Sequence, residues 1–138
     1  MRYNKADASG NVAEALNEVV ETITANRTLT AEDSGKTFLI ATDALTITLP
    51  ATIKGWRAKF KNSGANGANI ITVAPVAADG IAGTIILAAT VVTRPGTVNT
   101  AIVNTKATAI TGDTMEILGT GITGTKAWLI DSSTGIWA

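Results

Sequence analysis

Through the first half of the chain, apolar and polar residues alternate with a period of two. Leu45, Ile47 and Leu49 are separated by Thr46 and Thr48, and Trp56, Ala58 and Phe60 by Arg57, Lys59 and Lys61. Successive side chains of a strand point to opposite faces, so each segment reads as a strand with one apolar and one wet face. The same pattern predicts strands over Lys36 to Ala41, Ala44 to Leu49, Trp56 to Lys61 and Asn69 to Ala74. The breaks carry turn chemistry: Asp33-Ser34-Gly35, Pro50, the GANGAN run from Gly64 to Asn69, Asp79-Gly80 and Pro95-Gly96. Each supplies a residue that tolerates positive φ or has its φ fixed. This spacing predicts an all-β chain folded as a single compact β-barrel or sandwich domain.

Toward the N-terminus the period changes. Val12, Leu16, Val19, Val20 and Ile23 have helical spacing, and Asn11 with Glu14 resembles a capping box, while Val19 to Thr24 is also a good strand sequence. The expectation is one short helix over Val12 to Glu18 followed by a strand. Residues 1 to 10 are polar and without period, which is the composition of an extended N-terminal arm that orders on a partner. The predicted organisation is thus an arm over 1–10 and one β-rich domain over 11–138.

The second half is less regular. Thr84 to Thr93 is almost continuously apolar, as expected of a strand buried on both faces at an interface between copies. Asn99 to Ile110 fits either a strand pair or an exposed loop. Thr114 to Leu118 and Lys126 to Asp131 form a predicted closing hairpin, with Gly135 to Ala138 as a last short piece. A terminal Trp is seldom left in water, so Trp137 is expected inside the domain or against another subunit. Ile85, Ile86, Leu87 and Trp137 are therefore the candidate subunit interface. No repeat of fixed period and no linker divides the chain.

Composition narrows the chemistry. A chain of 138 residues can bury a real core without cross-links. It contains no Cys and no His, which removes disulfides, Cys- and His-ligated metals, and Ser-His-Asp or Cys-His nucleophile pairs. No cofactor is expected. Charged residues make up 16% of the chain and the formal net charge is zero, against about 25% charged in ordinary soluble domains. That shortfall predicts a surface covered by copies of itself or by a partner. It also argues against nucleic acid as a partner, since such binding rests on a strongly basic face. No apolar run reaches membrane-spanning length and no secretory signal opens the chain, so the expectation is synthesis in a cytoplasm and no membrane partner.

Each motif has a plain structural reading beside its functional one. Gly119 to Gly124 spell GTGITG, a literal GxGxxG, yet a dinucleotide site needs a helix after the glycines and Thr125 to Asp131 reads as a strand. Lys54, Arg57, Lys59 and Lys61 interleave with Trp56 and Phe60 like a nucleic-acid platform, but period two puts rings and cations on opposite faces. The alternatives are a solvated outer face or a basic patch docking on an acidic protein surface. Glu32 beside Asp33, and Glu14, Glu18 and Glu21 on one helical face, do not oppose each other across a cleft as glycosidase carboxylates must. A Ser34–Lys36 dyad is formally available, with a Gly-containing turn as the simpler account. Asn26-Arg27-Thr28 is a glycosylation sequon by pattern alone.

The run TLTAEDSGKTFLI, then LTITLP, the GWRAKF strand and the ITVAP and DGIAG pieces resemble structural proteins of tailed bacteriophages, particularly small capsid decoration or cement proteins. The likeness covers residues 22 to 83, and GDTMEIL followed by AWLI is similar to the closing strands of such modules. The resemblance implies a non-enzymatic homotrimer on the exterior of the virion capsid, binding the mature head and bridging major capsid protein subunits. It also implies an arm that contacts the capsid, which places Arg2, Tyr3, Asn4 and Lys5 in that role. Thr84 to Ile110 has no counterpart in the pattern. Related strings occur in phage tail fibres, so the alternative is a tail-fibre or baseplate module binding host surface carbohydrate, for which a Trp56 or Trp128 exposed in a groove would speak. A hydrolase using Glu32 and Asp33 is the third reading.

Without histidine, no side chain at its ordinary pKa changes charge near neutrality. Assembly is therefore expected to be constant between about pH 6 and 8, and light scattering across that range that showed a sharp transition would contradict this.

Overall fold

The computed structural model describes residues 19–138. The predicted arm over 1–10, with Arg2, Tyr3, Asn4 and Lys5, and the predicted helix over 12–18 lie outside the described residues.

Six strands follow one another through the first half: β1 (Val19–Ile23), β2 (Arg27–Thr28), β3 (Lys36–Ile40), β4 (Leu45–Thr48), β5 (Arg57–Asn62) and β6 (Ile71–Ala74). Consecutive strands do not pair with each other. Instead β1, β3 and β5 lie side by side in parallel, as do β2, β4 and β6 in a second sheet. The chain thus winds in stacked coils, each laying one strand on each sheet. Because the pairing is parallel and in register, inward positions stack on inward positions: Phe38 on Phe60, Leu45 on Ile71, Ile47 on Val73. The two Phe rings stack with centroids 5.7 Å apart.

The second half completes both sheets with β7 (Gly80–Leu87), β8 (Thr90–Val98), β9 (Ile102–Asn104), β10 (Thr114–Gly119) and β11 (Trp128–Thr134). The larger sheet has seven strands in the order β1-β3-β5-β10-β11-β7-β8, and the smaller has four in the order β2-β4-β6-β9. The fold is all-β, as expected, with a core closed between the sheets. From the larger sheet come Ile23, Phe38, Phe60, Met115, Ile117 and Trp128; from the smaller come Leu45, Ile47, Ile71, Val73 and Ile102, all buried. Burying each such side chain stabilises the fold by about 1.5–3 kcal/mol. The last residue is tied in as well, since Ala138 and Val103 exchange both backbone hydrogen bonds at 2.7 and 2.9 Å.

Three segments refine the sequence expectations. Thr114 to Leu118 and the strand expected over Lys126 to Asp131 do pair antiparallel, as β10 and β11, although β11 begins at Trp128 and runs on to Thr134. Asn99 to Ile110 resolves into short β9 and a 3₁₀ turn at Lys106–Thr108. Thr84 to Thr93 is not one doubly buried strand. It folds back at Ala88 and Ala89, so that Leu87 faces Thr90 and Ile86 faces Val91 in the β7–β8 hairpin. Ala88 takes φ 52°, a conformation that tight hairpin turns require and that Gly or Asn usually signals. With Ala there, nothing in the sequence marked the turn.

Close backbone approach explains Gly96. It lies in β8 with φ 86°, and a Cβ there would come within 1.9 Å of the Thr125 carbonyl oxygen. Gly96→Ala is expected to destabilise the fold by roughly 2–4 kcal/mol, from left-handed strain plus the clash. Urea unfolding followed by tryptophan fluorescence checks it, and an unchanged midpoint would sink the account.

Candidate docking surface

β5 sits in the middle of the larger sheet between β3 and β10, and its alternation sorts its side chains as the sequence predicts. Trp56, Ala58 and Phe60 are buried, while Arg57, Lys59 and Lys61 stand on the outer face. Lys54, in the turn before β5, is exposed and packs under the GTGITG loop at Gly121. Arg57, Lys59 and Lys61 therefore form a row along one strand, with Lys54 in the turn ahead of them. Arg57 is not loose in solvent: its Nη1 donates to Asp131 Oδ2 at 2.7 Å and lies 3.7 Å from Glu116 Oε2. The hydrogen bond to Asp131, and its charge, hold the guanidinium proton more tightly than usual. Lys59 lies directly opposite Glu116 on β10 and Lys61 opposite Thr114. The outer face is thus a band of opposite charges crossing β5, β10 and β11. Such surface pairs contribute little to stability, but they fix the directions in which the charges stand on this face.

Of the acidic residues considered for catalysis, Asp33 and Glu21 have structural duties, while Glu14 and Glu18 lie outside the described residues. Asp33 is buried at the end of a 3₁₀ turn, Ala31–Asp33, and accepts from Arg27 Nη2 at 2.8 Å, Lys36 Nζ at 2.8 Å and the Thr30 amide at 2.9 Å. Glu21 on β1 completes the cluster through Lys36, 3.0 Å away, and through Arg27. Glu32 is exposed and does not join it. Burial pushes the Asp33 carboxyl up, but the Lys36 hydrogen bond, the Thr30 amide and the nearby Arg27 together hold it below its ordinary pKa. The Ser34–Lys36 dyad is not formed, because Ser34 Oγ accepts from the Arg57 amide at 3.2 Å and Lys36 Nζ is engaged by carboxylates.

A second polar cluster, which the sequence did not suggest, joins the far ends of the sheets. Asn62, Asn69, Asn104 and Asp113 are all buried. Asn62 Nδ2 donates to Asn104 Oδ1 at 3.0 Å, Asn69 Nδ2 to Asn62 Oδ1 at 3.2 Å, and Asn104 Nδ2 to Asp113 Oδ2 at 2.9 Å. Each amide is satisfied, as burial requires. The only signal was position: Asn62 and Asn104 end strands β5 and β9, where an apolar run stops.

The aromatic residues are internal. Trp56 and Trp128 are buried and meet edge to face, with centroids 5.2 Å apart and planes at 78°. Trp56 Nε1 donates to the Thr30 carbonyl at 3.0 Å and Trp137 Nε1 to that of Thr134 at 3.2 Å. Every Trp and Phe is buried, and the one Tyr, Tyr3, is outside the described residues. This corrects the candidate subunit interface. Trp137 is fully buried and Ile85 nearly so within this chain's own core, and Leu87 packs against the same core. Of the four, Ile86 alone turns to the other face, beside Val91, which is 65% exposed.

That face borders a cleft. β7 pairs with β11 only at Ile81 and Ala82, and at Gly83, φ 141°, it bends away, its backbone lying so close to Ile130 that a Cβ would not fit. Beyond that point the hairpin and β11 part, leaving an open cleft of about 550 Å³ lined by Thr84, Ile86, Val91, Ile130 and Ser132 among others. The GTGITG run ends β10 and forms the loop to β11, with no helix after it. Among the described residues there is no group of three or more side chains placed to hold a metal ion, and no helix long and apolar enough to cross a membrane. Comparison with protein-family models and with curated proteins found no match to the chain.

The Asp33 carboxylate generates a pH prediction. Its folded pKa is depressed, so its contribution is complete above the unfolded value of about 3.9 and is lost as pH falls through the lower folded value. Asp33→Asn is expected to cost roughly 2–4 kcal/mol at neutral pH, leaving two partly buried cations short of a partner. It should also flatten the acid limb of stability below about pH 4. Urea melts of both proteins from neutral to acid pH measure this, and identical acid limbs would remove Asp33 from the account.

Proposed function

We propose that this chain is a non-enzymatic virion structural protein, a homotrimeric capsid decoration or cement protein that binds the mature phage head and stabilises it by bridging major capsid subunits. The observation that carries the reading is how its side chains are used. Among the described residues, Glu21 and Asp33 are engaged in ion pairs and a cap, Glu32 stands alone, and the Trp and Phe rings serve the core. Among the surfaces left outside are a charged band on β5 and an apolar hairpin face at half-buried Ile86 and exposed Val91. Those are the two surfaces a clamp needs, one for a foreign partner and one for its sister copies. Binding only the mature lattice would stabilise that state by mass action, and linked copies would multiply modest contacts through effective concentration.

In this reading copies meet through Ile86 and Val91, whose apolar face continues into the cleft beside β11. Lys54, Arg57, Lys59 and Lys61 face an acidic patch of the capsid. The tail-fibre reading draws no support from Trp56 or Trp128, because a sugar-stacking ring must be exposed and both are buried.

Light scattering on the purified chain at micromolar concentration is expected to give the mass of a trimer, and Val91→Asp to shift it toward monomer without loss of fold. Arg57→Glu with Lys61→Glu should leave the trimer intact and weaken binding to expanded heads by about tenfold or more. A wild-type monomer, or unchanged head binding in the double variant, would overturn the respective half of the proposal.

A further inference from the structure

The loop between β5 and β6 contains Asn66-Gly67, the dipeptide whose side-chain amide is most open to attack by the following backbone nitrogen, because glycine has no side chain to obstruct the approach. Both residues are exposed, so solvent base can reach them. Two hydrogen bonds nevertheless engage both reacting groups. The attacking nitrogen is occupied: the Gly67 N–H donates to the Ala109 carbonyl at 2.8 Å. The electrophile is anchored too, since Asn66 Oδ1 accepts from the Thr111 amide at 2.9 Å. Thr111 Oγ1 further donates to the Gly64 carbonyl.

The segment that clamps this loop is itself held by the buried amide cluster. The Ile110 amide donates to Asp113 Oδ2 at 3.0 Å, and the Gly64 amide to Asn62 Oδ1 at 2.9 Å. The clamp therefore stays closed as long as the cluster that joins the ends of the two sheets is intact.

We propose that Asn66 is a latent deamidation site which the fold holds shut, and which records any opening of this end of the domain irreversibly. In the opened loop the Gly67 nitrogen gives up its proton to solvent base and bonds to Asn66 Cγ. The bond from Cγ to the side-chain nitrogen breaks, ammonia leaves, and a five-membered succinimide forms. Water then opens the ring at either carbonyl, leaving aspartate or isoaspartate at position 66. No redox partner is needed. The product adds one negative charge to a formally neutral chain, and the isoaspartate form also lengthens the backbone by one carbon, so a chain modified this way does not reclose on the same hydrogen bonds.

The experiment ages the full chain in mildly alkaline buffer, native and in urea, and follows position 66 by peptide mass and isoaspartate release. Conversion is expected in the unfolded chain and at least about tenfold slower in the native one, because reaction needs local opening. Thr111→Pro, which deletes the amide that anchors Asn66, should speed native conversion several-fold, and Asn66→Gln should abolish the signal. Equal rates in the native and unfolded chain, no conversion in the unfolded chain, or a folded Thr111→Pro protein that reacts no faster would each overturn the proposal. Should that variant not fold, hydrogen exchange at the Gly67 amide of the wild-type chain decides: protection is expected, and exchange at the unstructured rate overturns the clamp.

Discussion

Parallel stacking of successive coils is the constraint from which the rest follows. In a parallel in-register pair, each inward side chain lies on an inward side chain of the next turn, so one polar intruder would meet apolar neighbours above and below. Phe38 over Phe60 and Ile47 over Val73 are where that condition is met most fully. A period-two pattern in each strand, repeated with turns of suitable length between, is enough to keep the two inner faces opposed.

Stacked coils have ends, and the polar clusters sit where the stacking needs closure. Glu21, Arg27, Asp33 and Lys36 bind β1, β2 and β3 together across the first turns of chain, with Arg27 lying 5.6 Å from the centre of the Phe38 ring. Asn62, Asn104 and Asp113 do the same where β5, β9 and the start of β10 converge. Neither cluster adds much net energy over a well-packed apolar equivalent. Each fixes register, because the donors and acceptors are satisfied in one alignment of the strands only.

Much of this was legible in the chain. The inner and outer faces of β4 and β5, the closing β10–β11 pair, and the GTGITG run as a loop all follow from alternation and turn residues. Alternation reports which face a residue takes but not which strand lies beside it, so the two-sheet winding was not readable. The Ala88-Ala89 turn lacks the Gly, Asn or Pro that announces a reversal. Of the outer face, the cations of β5 were visible, while the partner of Arg57, Asp131, lies 74 positions away and is brought near only by pairing through β10. Trp137 was placed by type, and its burial came from the backbone bonds between Ala138 and Val103 that draw the terminus over the core.

The outermost strand, β8, ends the larger sheet and is nine residues long. A free rim of that length is a template on which chains zip into fibres. Here Pro95 removes one backbone donor from it, the pairing with β7 slips between Gly80 and Ala82, and Arg94 folds inward to the carbonyls of Ile81 and Thr100. The sticky tip of the hairpin is thereby separated from a rim that resists zippering. Crowded chains are denied a continuous backbone template on which to add strand after strand.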